Sequence, residues 1–312
     1  MSVGVLVMAH GTPARPNEIE PFYTRIRRGR PPEPAHLAEL EGRYAAIGGV
    51  SPLAERTQAQ VDALRAALES RRPGRYVVAF GAKHTEPSIE DAAAKLAAAG
   101  LARVVGLVLT PHGSSMGSQE YLDRARAAVT PLRLVAVPPW YAGPGFVRLL
   151  AARVGEAVAG VSTGAGTGFG TGAVHVFFTA HALPARVREA GDTYPEQVEE
   201  SARLVAEEAG LVESSWSMAW QSAGRTPEPW IGPDVGDEVR RLGAAGGVAA
   251  VVVCPIGFVA DHLEVLYDLD VEVAAVAAEC GLRYARTASL NDDPAFVAVL
   301  ADAVVAADEA AA

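Results

Sequence analysis

The chain is short of cysteine, of basic charge and of long apolar runs. Among its 312 residues only Cys254 and Cys280 are cysteines, and they form no C-x-x-C pair. A thiolate metal cluster is thereby excluded, and both read as buried free thiols in apolar surroundings. Lys and Arg number 27 against 37 Asp and Glu, a net charge of −10. That balance argues against nucleic acid as the main partner and against anchoring to anionic lipid, both of which want a basic surface. The opening MSVGVLVMAHG has no basic leader and no cleavage site, and its apolar run is too short to span a membrane. It reads as a first β-strand, and the protein as cytoplasmic. No G-x-G-x-x-G follows that strand, which counts against a dinucleotide-dependent dehydrogenase. The glycine-rich stretch Ala159–Ala173 follows a helix, precedes a strand and lacks the Lys-Ser/Thr of a phosphate loop. It is expected to be a flexible surface linker.

What remains is a chain that is 50% hydrophobic and 21% charged, enough for a substantial core in two domains or one large one. Short, nearly continuous apolar runs recur at Val3–Ala9, Tyr76–Gly81, Val104–Thr110, Leu132–Val137, Val174–Ala180, Ser217–Gln221, Ala249–Pro255 and Leu282–Ala285. Strands of a parallel sheet covered on both faces read this way. Helical patterns separate them, as at Pro52–Glu69, Ile89–Ala99, Ser118–Ala128 and Tyr194–Ala209. The alternation predicts βαβ units with right-handed crossovers. The pattern also looks duplicated. VGVLVMAHGTP and VHVFFTAHALP both read strand, then His-x-x-Pro, and VVGLVLTPHGSS matches AVVVCPIGFVADH more loosely. The expectation is an α/β protein of two Rossmann-like domains, each a parallel four-stranded sheet flanked by helices, around a central cleft. Residues 1–137 would form the first domain and 138–285 the second, with 286–312 folding back onto the first.

In open α/β sheets, ligands gather at the carboxyl ends of strands. His181 stands there, with Leu183-Pro184 after it, and His10 is its counterpart in the first half. An imidazole so placed can take a borderline metal such as Fe²⁺ or accept a proton near neutral pH; it can equally cap the following helix. Glu264, Asp268 and Glu272 follow at four-residue spacing in DHLEVLYDLDVE. On a helix that spacing stacks three carboxylates on one face, where they repel. The row reads either as a solvated acidic face or as hard oxygen ligands passing a divalent cation inward, with Asp261 and His262 at its start. The first half offers cations instead: RIRRGRPPEP, then Arg43, Tyr44 and Ser51 in RYAAIGGVSPLA. Arginine forks and hydroxyls suit a ligand edged with carboxylates. Lys83-His84 and His112 end two more strands. Trp220 and Trp230, in the proline-rich AWQSAGRTPEPWIGP, would wall a flat ligand or pack a loop.

Together these segments resemble the ferrochelatase family, most closely the soluble bacterial coproporphyrin ferrochelatases. VLVMAHGTP, YTRIRRGRPPEP, RYAAIGGVSPLA, GAKHTEPSIEDA, FFTAHALP with GDTYPEQ, WQSAGRTPEPWIGPDV and PIGFVADHLEVLYDLDVE carry the likeness, in the family's order. It implies insertion of Fe²⁺ into a porphyrin as a step of haem biosynthesis, without ATP or a redox cofactor. The expected substrate is coproporphyrin III, the alternatives being protoporphyrin IX or a non-catalytic haem or metal carrier. By motif, His181 and Glu264 match the catalytic, metal-binding pair, and Asp268 and Glu272 an outer row that takes up the hydrated cation. Arg27, Arg43, Tyr44, Ser51 and Tyr121 match porphyrin contacts. His10 falls where relatives place a tyrosine that ligates the product iron. Two cysteines cannot hold the iron–sulfur cluster that some relatives carry, so none is expected. The implied partners are the porphyrin and Fe²⁺, with no nucleic acid and no stable membrane anchor. The chain is expected to be a monomer in transient contact with the next enzyme of the haem pathway.

Overall fold

The computed structural model describes residues 2–163, 173–224 and 226–312. The chain divides into two compact units, one of Met1–Trp140, Val259–Leu263 and Leu290–Ala312, the other of Tyr141–Phe258 and Glu264–Ser289.

The first unit is built on β1 (Val3–Ala9), β2 (Tyr76–Ala82), β3 (Val104–Val108) and β4 (Leu134–Ala136), in the order β2-β1-β3-β4 with every pairing parallel. Helices α1 (Ile19–Ile26), α2 (Pro34–Ala46), α3 (Leu53–Arg71), α4 (Ile89–Ala97) and α5 (Ser118–Ala128) join the strands. β1 is buried along its whole length, which is why its sequence runs apolar without alternating. Leu6, Met8, Ile89, Leu96, Val104 and Leu122 belong to the core between the sheet and α4 and α5.

The second unit repeats the plan. It holds β5 (Ala173–His181), β6 (Trp216–Gln221), β7 (Val248–Cys254) and β8 (Arg283–Arg286), ordered β6-β5-β7-β8 and again all parallel. Its helices are α6 (Pro144–Thr163), α7 (Arg186–Glu189), α8 (Tyr194–Glu208), α9 (Val235–Ala245) and α10 (Ala274–Glu279). Asp234 caps α9 by accepting from the amides of Gly236 and Asp237, one of the orphan-donor solutions a helix start requires. The matching strand orders align β1 with β5 and β3 with β7, the two pairs of segments that looked duplicated. α6 runs through Thr163, so the glycine-rich stretch is helical at its start; its residues 164–172 lie outside the described residues.

The last helix, α11 (Pro294–Ala310), belongs to the first unit and packs on α3. Asp308 pins it. The carboxylate is buried, accepting from Arg75 Nη2 at 2.8 Å, Arg103 Nε at 2.9 Å and the Tyr76 hydroxyl at 3.1 Å.

The segment Glu264–Val273 is a π-helix where the spacing argument took an ordinary helix. The reason lies in its repeat. Val265, Leu269 and Val273 are buried at steps of four, and the first two have no exposure at all. A strict repeat of four outruns the 3.6-residue turn of an α-helix. The wider turn of an i→i+5 helix follows it and keeps all three on the core face. Leu269 and Val273 pack there with Phe177, Val251 and Val239.

Candidate active site

His181 is the last residue of β5, paired across the sheet with Gln221 at the end of β6. Its Nδ1 lies 3.1 Å from Oε2 of Glu264, the first residue of the π-helix. The two side chains are 34% and 36% exposed, so the pair is half-buried and reachable. Burial works against a charged imidazole, but the charge and hydrogen bond of Glu264, with the charge of Asp268, outweigh it and raise the His181 pKa.

Three residues that the sequence reading passed over hold this pair and the neighbouring Asp268. The Tyr194 hydroxyl donates to the carbonyl of His181 at 3.0 Å. Gln221 is buried; its Oε1 accepts from Thr179 Oγ1 at 2.8 Å, and its Nε2 donates to the carbonyl of Glu264 at 3.3 Å. Ser222 stands at φ 59 and donates its hydroxyl to the carboxylate of Asp268. The available signal was a polar Gln-Ser step closing an apolar strand, at the sheet end where sites gather.

The three acids differ in burial, and the middle one lies deepest. Glu264 is half-buried, Asp268 is 6% exposed and Glu272 is on the surface. Among the described residues no three His, Cys, Asp or Glu side chains close into a ready metal cage, so the acids are successive positions along one helix. Asp261 and His262 belong to the first unit. Asp261 accepts from Asn291 Nδ2 at 2.9 Å, and His262 Nδ1 lies 3.0 Å from the carbonyl of Ala260.

The first unit has its own polar cluster at the ends of β1 and β2. The His10 ring lies 4.7 Å from that of His84 and 5.9 Å from that of Phe22. Burial, and then the charges of His10, Lys83, Arg124 and Arg25, hold the His84 pKa down to about 3. Beside it opens a cavity of about 650 Å³, lined by Gly11, Thr12, Phe22, Arg25, Thr57 and His84 among others. Arg27 is exposed at the end of α1, with its guanidinium 5.9 Å from the centre of the Tyr23 ring. Arg43 is half-buried, and Ser51 is buried with its Oγ accepting from the amide of Leu53 at the start of α3. Tyr44 and Tyr121 are 3% and 5% exposed. Lys83 Nζ stands 5.1 Å from the centre of the Tyr121 ring and 2.8 Å from Glu120. His112 is buried, and desolvation lowers its pKa to about 3. Of the two tryptophans, Trp220 is buried in β6, and Trp230 covers Gly224, where a Cβ would meet its ring at 2.3 Å. Both pack structure rather than stand open.

Twin parallel sheets thus carry a histidine–carboxylate pair at one strand end. Solved structures share the fold. One is the sirohydrochlorin chelatase SirB of Bacillus subtilis subspecies spizizenii with cobalt, with a TM-score of 0.59 at 10% identity over 99% of this chain and 96% of that one. Another is CbiX, the terminal enzyme of sirohaem biosynthesis in denitrifying bacteria, with a TM-score of 0.54 at 16% identity over 97% and 98%. At such identities the likeness speaks for the fold alone. The sequence itself goes further: the ferrochelatase family model matches residues 2–308. Coproporphyrin III ferrochelatase of Bacillus subtilis strain 168 is 43% identical over 307 residues, 97% of each chain. That of Geobacillus thermodenitrificans is 42% identical over 308 residues, 97% of this chain and 95% of the relative. The chain belongs to the ferrochelatase family.

Proposed function

We propose that this chain inserts Fe²⁺ into coproporphyrin III, releasing two protons and giving iron-coproporphyrin for haem synthesis. The observation that carries the reading is the His181–Glu264 pair, 3.1 Å apart and half-buried at the end of β5, in a chain whose relatives at this level of identity are coproporphyrin III ferrochelatases.

The inner nitrogens of a free porphyrin carry two protons that must leave, and the solvated metal must shed water. In neutral His181 the Nδ1 proton is donated to Glu264, because an ionised carboxylate only accepts. Nε2 then carries the lone pair, free to meet iron or a pyrrole proton. The negative charge beside it strengthens it as a base, in line with its raised pKa. Glu264 orients the ring, offers oxygen to the arriving iron and stabilises the imidazolium once a proton is taken. Asp268 and Glu272 draw the hydrated cation from the surface toward the pair, as hard oxygen ligands suit an ion that still holds water. Arg27 and Arg43 clamp propionates, Tyr44, Ser51 and Tyr121 line the porphyrin, and His10 ligates the product iron.

The chain would work as a cytoplasmic monomer without an iron–sulfur cluster, in passing contact with the enzyme that takes its product. Cys254, whose thiol burial pushes up to about 12, is a poor thiolate. Among the described residues no helix is long and apolar enough to cross a membrane. The deciding experiment is anaerobic turnover of Fe²⁺ with coproporphyrin III and protoporphyrin IX side by side. Faster insertion into coproporphyrin III is expected. Equal or faster use of protoporphyrin IX would overturn the substrate, and turnover of neither would overturn the activity.

A further inference from the structure

His10 is an exposed side chain held as though it were buried. It follows the last residue of β1, and the pair His10 and His84 extends the β1–β2 ladder, with the amide of His84 donating to the carbonyl of His10 at 3.0 Å. The His84 ring lies against it at 4.7 Å, tilted by 55°. Phe22 presents an edge-to-face contact at 5.9 Å and 74°, and Phe22 and His84 meet each other at 6.3 Å and 83°. Arg25 Nη1 donates to the carbonyl of His84 at 2.8 Å, so α1 is tied to the same wall. The turn beyond is equally confined. Gly11 sits at φ +85, and a Cβ there would come within 2.4 Å of Thr85 Oγ1.

A contact with the backbone sets the proton. Nδ1 of His10 lies 3.1 Å from the carbonyl oxygen of Gly11. A carbonyl only accepts, so Nδ1 carries the hydrogen and Nε2 the lone pair. A backbone carbonyl on one ring nitrogen is the usual way in which a histidine is set to ligate metal through the other.

We propose that His84 and Phe22 are positioning residues that hold His10 in this tautomer and orientation, so that the product is kept as an imidazole-ligated iron porphyrin. This rests on the porphyrin reading above. Nε2 donates its lone pair to the iron, and His84 acts through His10. Ring walls remove rotamer freedom before the ligand arrives, so less ordering cost falls on the binding step.

The test uses the full chain titrated with ferric iron-coproporphyrin III and followed by absorption and electron paramagnetic resonance. Metal-free coproporphyrin III, followed by fluorescence quenching, is the companion ligand. The wild-type complex should carry the signature of imidazole-bound iron. His10→Ala should lose it and regain it with added imidazole. His84→Ala should weaken product binding roughly three- to tenfold, the scale of one aromatic pair, and broaden the iron signal, with metal-free coproporphyrin III bound as before. His84→Phe, which keeps the wall, should recover both and guards against a folding defect. A His84→Ala protein with the wild-type iron signal and product affinity would overturn the proposal, as would a His10→Ala protein whose iron signal is unchanged. Failure of the wild type to bind metal-free coproporphyrin III would instead bring down the porphyrin reading beneath it.

Discussion

Nδ1 of His181 and Oε2 of Glu264 stand 3.1 Å apart although 83 positions separate them in the chain. One closes a strand and the other opens a helix, and neither depends on the other for its local conformation. Removing either partner should therefore leave the fold standing while ending the chemistry. His181→Ala and Glu264→Ala are each expected to lower iron insertion by a factor of about 10² or more, the usual worth of a positioned acid–base group. Porphyrin should still quench in a fluorescence titration. Full turnover in both variants would remove the pair from the mechanism.

The same pair sets a pH dependence. Burial lowers the His181 pKa, and the attraction of Glu264, helped by Asp268, more than reverses that. The folded value therefore lies above the ordinary histidine value of about 6.5. The charged pair stabilises the fold fully below that ordinary value, and the contribution is lost as pH rises through the raised one. Iron has the opposite preference, since it must displace the proton. Turnover should fall on the acid side with a midpoint above about 6.5. In Glu264→Gln, where burial acts with much less opposition, the midpoint should move down. A pH profile of kcat/KM for both proteins decides it.

Gln221 gives a quieter test. It bonds Thr179 on β5 and the carbonyl of Glu264, joining strand and π-helix. Gln221→Leu keeps the volume and removes the bonds. It should reduce kcat by roughly tenfold, as loss of a supporting partner at a metal site does, with KM for the porphyrin little changed. A KM effect alone would mean that Gln221 serves the porphyrin instead.

Arg27 bears on substrate choice. It is exposed at the end of α1, with its guanidinium over the Tyr23 ring. Arg27→Ala should raise KM for coproporphyrin III by about tenfold, the scale of one charged hydrogen bond, and raise it less for protoporphyrin IX, which has two propionates fewer. Steady-state rates on both porphyrins test the difference.

Asp308 is the main stability test. Replacing it with Ala strands Arg75 and Arg103 beside a buried site. Breaking a buried pair from one side costs about 3–5 kcal/mol. Urea unfolding of Asp308→Ala should show that loss, with residual activity per folded molecule unaffected.

Much of this architecture could be read in advance because its signals are local. β1, β5 and β7 are buried on both faces, and a strand so placed must be apolar throughout; each was found within a residue of its observed ends. His181 could be read from the repeat of His-x-x-Pro, which the aligned β1 and β5 explain. Glu264 could be read from its period, although the period was taken for an α-helix when a strict step of four in Val265, Leu269 and Val273 belongs to a wider turn. The supports of the site were not legible. Tyr194, Gln221 and Ser222 act through bonds to residues 13 to 46 positions away, and the polar Gln-Ser step that closes β6 is a local mark of the last two that does not name their partners. Pairing of the His10 and His84 rings likewise needs β1 beside β2, which no single stretch of sequence encodes.

The wide-turned helix carries a consequence for how this protein can vary. An i→i+5 helix and an α-helix are separated by a single inserted residue for each turn they differ. Excising one position between Glu264 and Val273 would let the segment tighten, swing Leu269 and Val273 off the core and carry Asp268 away from Ser222. Chemistry along this face can be edited letter by letter, but its letter count cannot. Natural variants of the segment should differ by substitution and never by an indel.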